Sequence, residues 1–433
     1  FFLFVLRGNT QEVEILTLED CLRIGIDNNL SLEGKRKEIQ KSKYGVSENR
    51  SKLLPQINAI AGYNNNFDPP VSVTDGSSYG VPYNITKTLQ HTANAGLEMQ
   101  MPLFNHTLYT SMSIAKVMEE ISRLSYGKAR EDVILQISKM YYLGQVTAEQ
   151  IMLIKANITR LEELRDITQA FFDNGMSMEV DLKRVNINLE NLKVQYDNAQ
   201  AMMKQQLNML KYIMDYPAEK EIALTPVNTD SITTVALTGL SENIYELQLS
   251  QSQVQLAERQ KKIIANGYIP SLSLTGSWRY AAYTDKGYHW FHSGPSNQWF
   301  RSYGVGLTLR IPIFDGLDKT YKIKKAMIDI ENKRLAWEDA RKNLQTQYLN
   351  AVNDLMNNQR NFKKQKDNYL LAEDVYAVTS DRYREGIASM TEVLQDEMQM
   401  SEAQNNYISA HYNYRVTNLM LLKLTGQIES LVK

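Results

Sequence analysis

A single cysteine, Cys21, stands in a chain of 433 residues. One thiol closes no intramolecular disulfide and builds no Cys-based metal cluster. Histidine is scarce too: five are scattered along the chain, with no HExxH or similar ligand spacing. No metal and no cofactor is therefore expected. No apolar run approaches the ~18 residues of a membrane-spanning helix, and the mean hydropathy is −0.40. A charge excess is missing as well, with 48 Lys+Arg against 49 Asp+Glu. A nucleic-acid partner, which calls for a basic surplus, is not expected. Neither a nucleophile elbow nor a phosphate loop occurs, so no enzyme class is indicated. Ten prolines and 21 glycines are few for this length, as in helix-rich chains.

What is present is written twice. "GLEMQMPLFN" from Gly96 returns as "GLTLRIPIFD" from Gly306, an offset of 306 − 96 = 210. "LPQINAIAGYN" from Leu54 pairs with "IPSLSLTGSWR" from Ile269. "FFDNGMSMEVDL" from Phe171 pairs with "RYREGIASMTEV" from Arg382, which aligns Gly175 with Gly386. Internal repeats of this kind set the architecture. They divide the chain into an N-terminal arm or signal remnant (1–15), a first repeat (16–215), a linking segment (216–239), a second repeat (240–426) and a tail (427–433).

Each repeat reads as helix, strand, loop, strand, long helix, turn, helix. In the second copy Tyr303, Val305, Leu307, Leu309 and Ile311 alternate with Gly304, Gly306, Thr308 and Arg310. In the first copy Ala95, Leu97, Met99 and Met101 alternate with Asn94, Gly96, Glu98 and Gln100. Period-two alternation over about ten residues suits a tilted strand with one face toward lipid. The preceding strands follow Pro55 and Pro270, and Leu272, Leu274, Trp278 and Tyr280 mark the second. Polar loops are expected near 66–92 and 281–301, the latter carrying the aromatic stretch "HWFHSGPSNQWF". Pro102 and Pro312 cannot donate to a ladder and are expected to end strands. Asn105 and Asp315 are then suited to cap the helices that follow.

Those helices are long. No proline interrupts Asn105 to Gly175 or Asp315 to Gly386. About 70 helical residues span roughly 105 Å at 1.5 Å each. Ile114, Val117, Ile121 and Leu124, and later Ile151, Ile154, Ile158 and Leu161, step by threes and fours, which predicts coiled-coil packing. Return helices are predicted over 177–214 and 389–424, and opening helices over 17–54 and 240–268. Cys21 falls in an opening helix as a small packing residue. The fold class is mainly α with membrane β. Four strands close no barrel, and open edges are not tolerated in lipid, so membrane strands would have to be shared between several chains.

The order and duplication of "LTLEDCLRIGIDNNLSL", "SKLLPQINAIAGY", "MPLFN", "YIPSLSLTG", "IPIFDG" and "TEVL" resemble the TolC-type outer-membrane factor family. The resemblance implies a homotrimer with a twelve-stranded barrel among outer-membrane lipid and a helical tunnel through the periplasm. It implies two partners, a periplasmic adaptor and an inner-membrane pump, in efflux or type I secretion. The family's adaptor-contacting hairpin tips map to Asn174, Gly175 and Met176, and to Glu385, Gly386 and Ile387. Its entrance gate maps to Asp181, Tyr383 and Glu392. By that resemblance Asp181 and Tyr383 would form a latch. Two positions depart from the pattern. Gln395 stands where a second acid is expected, with Asp396 next door, and Ala388 stands where the latch arginine belongs, leaving Arg382, Arg384 or Arg184 as substitutes. No lipobox cysteine is seen, so a lipid anchor is not expected. A periplasmic or soluble coiled-coil scaffold is the alternative, and it would have no use for a lipid-facing ladder.

Overall fold

The computed structural model describes residues 13–87, 89–226, 239–284 and 299–432. The elements in chain order are β1 (Glu14–Leu16), α1 (Leu18–Asn28), α2 (Leu30–Ser51), β2 (Gln56–Asn65), β3 (Val71–Asp75), β4 (Tyr83–Lys87), β5 (His91–Phe104), α3 (His106–Asp173), α4 (Glu179–Met214), β6 (Ile222–Leu224), α5 (Tyr245–Ala265), β7 (Ser271–Thr284), β8 (Trp299–Arg310), α6 (Asp318–Arg384) and α7 (Met390–Leu424). Two units emerge: one of residues 1–39, 122–251 and 335–433, the other of 40–121 and 252–334.

The first unit is helical. Its α1 opens at a capping box, with Thr17 Oγ1 accepting from the Asp20 N–H at 3.1 Å and the Asp20 carboxylate accepting from the Thr17 N–H at 3.2 Å. The single opening helix expected over 17–54 is broken at Asn29, where ψ is 118°. That residue serves three backbones. Its N–H donates to Gly25 O at 3.0 Å, its Oδ1 accepts from the Leu32 N–H at 3.1 Å, and its Nδ2 donates to Ile213 O at 2.7 Å. It thus ends α1, caps α2 and holds both to the last turn of α4.

Around this junction Leu22, Leu32, Ile134, Ile137, Leu210 and Met214 form a core. Cys21 is fully buried in it, and burial pushes its thiol pKa up to about 12, so it is an inert packing residue. The supposed arm and linker meet in this unit: β1 pairs in parallel with β6, Glu14 opposite Ile222. The supposed tail is structural as well. A 3₁₀ turn over Ile428–Val432 buries Ile428 completely, and Glu429 bonds Arg130 at 2.8 Å.

The second unit holds a sheet of order β2-β5-β7-β8, antiparallel throughout, with β2 and β8 at its edges. The register separates two faces. Ala59, Leu97, Trp278 and Tyr303 lie in one cross-strand row, and Ile57, Met99, Gly276 and Val305 in the next row of that face. On the other face run Asn58, Glu98, Ser277 and Gly304. Glu98 there accepts an ion-paired hydrogen bond from Arg279. Gly96 sits directly opposite Arg279, and a Cβ on it would lie 2.9 Å from the arginine's Cα and Cγ. The glycine leaves room for that side chain to reach the acid two residues along.

The strand ends differ from expectation. In the first copy β5 continues past Pro102 to Phe104; Pro102 lies beyond Gln100, the last residue of β5 paired with β2, and the register against β7 shifts just after it. Asn105 does cap α3, its Oδ1 accepting from the Thr107 and Leu108 N–H groups at 3.0 and 3.2 Å. In the second copy β8 stops at Arg310, so Ile311 and Pro312 lie beyond it. Asp315 is not the residue before the helix either. Gly316 and Leu317, both with φ of 66°, intervene, and Asp315 instead accepts from the Lys319 N–H at 3.2 Å and from Lys319 Nζ at 2.8 Å. The first expected polar loop contains a second hairpin, β3–β4, with Val73 opposite Ile85. Most of the aromatic stretch in the second loop lies outside the described residues; Trp299 and Phe300 open β8.

Candidate functional site

The two hairpin tips of the helical unit are built alike. Gly175 and Gly386 adopt φ of 74° and 75°, the left-handed conformation that glycine takes without strain. Gly175 N–H donates to Phe172 O at 2.9 Å and Met176 N–H to Phe171 O at 2.8 Å. Gly386 N–H donates to Tyr383 O at 2.9 Å and Ile387 N–H to Arg382 O at 2.8 Å. Both helices therefore end in the Schellman pattern, which satisfies carbonyls left over by the helix. Asn174 adds a side-chain bond to Ala170 O at 2.8 Å. The flanking Met176, Glu385 and Ile387 are exposed, with Met176 69 % and Ile387 62 % accessible.

The chain re-enters helix differently in the two copies. Ser389 and Glu392 form a capping box at the start of α7, each backbone N–H reaching the other's side chain at 3.3 Å. The S-x-x-E spacing in "SMTE" carried that signal. At the start of α4 the corresponding position is Met178, which offers no side-chain cap. The carboxylate of Asp181 is consequently free for another partner, and Arg184 Nη1 takes it at 3.3 Å.

A cleft of about 470 Å³ lies between the tips, lined among others by Phe171, Asp181, Arg184, Tyr383 and Thr391. Asp181 and Tyr383 share this cleft, but they are not bonded to each other. Tyr383 is buried, its ring 5.6 Å from that of Phe171, and its hydroxyl donates to Thr168 Oγ1 at 3.3 Å. Thr168 is the residue that sequence reading missed; a threonine inside a long helix carries no local signal of a partner 215 positions away. Ala388 is 8 % exposed and belongs to the same core as Tyr383 and Met390. An arginine would not fit there without leaving the core. Arg184 instead joins the tips, its Nη1 donating to Thr391 Oγ1 at 3.4 Å. Of the other two candidates, Arg384 is paired with Glu163 and Asp381, and Arg382 lies exposed.

Glu392 and Gln395 are exposed and Asp396 half-buried. The next residue, Glu397, was not singled out by sequence, yet it is 5 % exposed and its Oε1 has no hydrogen-bond partner. Burial raises its pKa, with Arg160 acting in the opposite direction. Among the described residues no group of three or more His, Cys, Asp or Glu side chains is placed to hold a metal. The site is a set of helix turns and a cleft.

The family model for the outer membrane efflux protein matches residues 24–214 and 240–427. The chain belongs to this family. It is accordingly an outer-membrane protein that serves efflux. The outer membrane protein TolC of Vibrio cholerae is 21 % identical over 399 residues, covering 88 % of this chain and 84 % of that protein. The probable efflux pump outer membrane protein TtgC of Pseudomonas putida is 23 % identical over 379 residues, with 83 % and 75 % covered. Among solved structures, the CmeC outer membrane channel of Campylobacter jejuni superposes with a TM-score of 0.77 at 17 % identity, covering 95 % of this chain and 85 % of that one. None of the three is named as an enzyme. The two matched segments contain both hairpin tips and all four strands of the sheet.

Proposed function

We propose that three copies of the chain form a passive exit duct through the outer membrane, serving a tripartite efflux or type I secretion system. Each copy contributes four strands, so three close a ring of twelve (3 × 4), within the range of membrane barrels. The observation that carries this reading is a sheet with two open edges whose register gathers the apolar side chains on one face: Leu97, Trp278 and Tyr303 share one row, and Met99 and Val305 the next. A sheet edge in lipid leaves its backbone groups unsatisfied, and only closure with further strands removes it. The hairpin tips are the periplasmic end. There Met176 and Ile387 meet an adaptor, the inner-membrane pump drives the cargo, and the entrance opens by parting the two tips. Glu392 lines that entrance, and the gate residues are Asp181, Arg184 and Thr391 around the cleft, with Tyr383 bracing it from the core.

The test is particle mass and face polarity together. In mild detergent the particle should weigh about three chains, and the protein should fractionate with outer membrane. Leu307→Arg should then cost about 2–4 kcal/mol of barrel stability, as lipid-facing cations do near the midplane. Thr308→Arg, one residue along on the polar face, should be mild. A monomer that stays in solution without detergent, or equal effects at the two positions, would instead favour the scaffold.

A further inference from the structure

The two strand-to-helix junctions share a phrase but not a chemistry. After "MPLFN" the first copy continues "HTLYTSMSIAK", with no lysine before Lys116. After "IPIFD" the second continues "GLDKTYKIKKAM", with lysines at 319, 322, 324 and 325. These fall in the first two turns of α6, which begins at Asp318. Positive side chains there oppose the helix dipole, so the dipole does not explain them.

The surroundings do. The apolar ladder of β8 runs on past the strand through Ile311 to Ile313 and Phe314, which are 94 % and 81 % exposed. Leu317, in the turn before α6, and Tyr321 and Ile328 on the helix are exposed apolar side chains, and Lys324 and Lys325 lie between the last two. Lys319 Nζ lies 5.2 Å from the ring centre of Tyr268, and Lys324 Nζ 5.6 Å from that of Tyr321. The two acids ahead of them are occupied, Asp315 by Lys319 at 2.8 Å and Asp318 by Lys322 at 2.6 Å, while Asp329, four residues after Lys325, forms no ion pair among the described residues. Lys324 and Lys325 have no acidic partner among the described residues. Ile313 and Phe314, then Tyr321, then Lys324 and Lys325 follow one another along the chain, with the Tyr268 ring beside Lys319. That is the order of acyl chain, interface and headgroup met on leaving a bilayer.

We propose that this junction is a binding surface for anionic phospholipid of the periplasmic leaflet. Ile313 and Phe314 insert among acyl chains, Tyr268 and Tyr321 lie at the interface, and Lys324 and Lys325 hold the phosphate of the headgroup. The first repeat's junction, with Phe104 and Tyr109 exposed and no lysine in the chain from there until Lys116, anchors in lipid without choosing a headgroup. The inference rests on the membrane-spanning reading of the sheet and deepens it by naming the lipid.

The experiment uses the full-length protein purified in detergent and stripped of lipid. Native mass spectrometry is recorded with phosphatidylglycerol or phosphatidylcholine of matched acyl chains added, and insertion is followed separately by flotation with vesicles of each composition. The parent should retain phosphatidylglycerol at least about tenfold more readily, since each basic side chain at a membrane surface is worth on the order of 1 kcal/mol, about fivefold. Lys324→Gln with Lys325→Gln should bring the two lipids close to parity and leave insertion intact. Phe314→Ser should weaken retention of both lipids alike.

Equal retention by a parent that inserts normally would overturn the headgroup site and leave the exit-duct reading standing. A preference that survives the double lysine variant would overturn it too. Competition by millimolar inorganic phosphate as strong as that by the lipid would make this a free-phosphate site. If Phe314→Ser separates the copies while retention of both lipids is undiminished, a second chain covers the face instead. Failure to insert into vesicles of either composition would take down the exit-duct reading and this inference with it.

Discussion

The hydroxyl of Tyr383 donates to Thr168 Oγ1 at 3.3 Å, joining the last turn of α6 to the last turns of α3 inside one hydrophobic core. Thr168 in turn donates to Leu164 O at 2.7 Å. Tyr383→Phe therefore removes one bond while Thr168 keeps another, and should cost about 0.5–1.5 kcal/mol. Tyr383→Ala should cost about 3–5 kcal/mol, the range for emptying a buried aromatic site. Asp181→Ala touches neither group, so its effect should add to that of Tyr383→Phe. Thermal unfolding in detergent of the two single variants and the double variant checks this; strong non-additivity would mean that Asp181 and Tyr383 act as a pair after all.

Arg184 spans the tips through Asp181 and Thr391. It is half exposed, so the link is worth about 0.2–1 kcal/mol. That is enough to shift a gate: Arg184→Ala should raise the open probability of reconstituted channels by up to about fivefold. Thr391→Val should do part of the same, and combining the two should add little. Planar-bilayer recordings decide, and an open probability unchanged in Arg184→Ala would remove the arginine from the gate.

Ser389 and Glu392 separate capping from conduction. Ser389→Ala should destabilise the start of α7 by about 1 kcal/mol, the usual cost of a lost cap, without changing how cations pass. Glu392→Gln keeps a side chain that completes the box, so stability should hold while block by multivalent cations added on the tip side is relieved. If block is the same in parent and Glu392→Gln, the acid is a cap and nothing more.

Glu131 contributes one pH dependence. It is 4 % exposed, and its pKa is raised to about 7, by burial first, with Lys423 opposing and Glu429 and Asp132 adding to the rise. An acid whose folded pKa exceeds its unfolded value holds its proton more tightly in the folded state. Its penalty is absent below about pH 4.5, grows as pH rises, and is complete above about pH 7. A gap of about 2.5 units corresponds to on the order of 3 kcal/mol. Glu131→Gln should therefore stabilise the protein by up to that amount at pH 8 and by almost nothing near pH 4. Melting curves of parent and variant across this range test both sign and size.

Much of this architecture was legible because it is local and written twice. Period-two alternation placed Leu97, Met99, Val305 and Leu307 on one face, and the register of the sheet puts Leu97 with Tyr303 and Met99 with Val305 in its cross-strand rows. The turn glycines were equally readable, since a left-handed residue between two proline-free helical runs admits little else. Where elements stop was less legible. Pro102 lies inside β5, just ahead of a register shift, and α6 starts late because Gly316 and Leu317 both take positive φ. Neither follows from propensity.

The sequence by itself determined the elements, their order and their apolar faces, because hydrophobic period and turn chemistry act over a few residues at a time. Partners lay beyond it. Asn29 looked like one polar residue inside a continuous helix until Ile213 O supplied the acceptor that makes a break there worthwhile. Tyr383 looked like a partner for Asp181 until Thr168 and the Phe171 ring enclosed it. Which hydrogen bonds a polar group makes depends on what packing brings within about 3 Å of it. That distance is set by helices remote in sequence, so only the tertiary structure decided it.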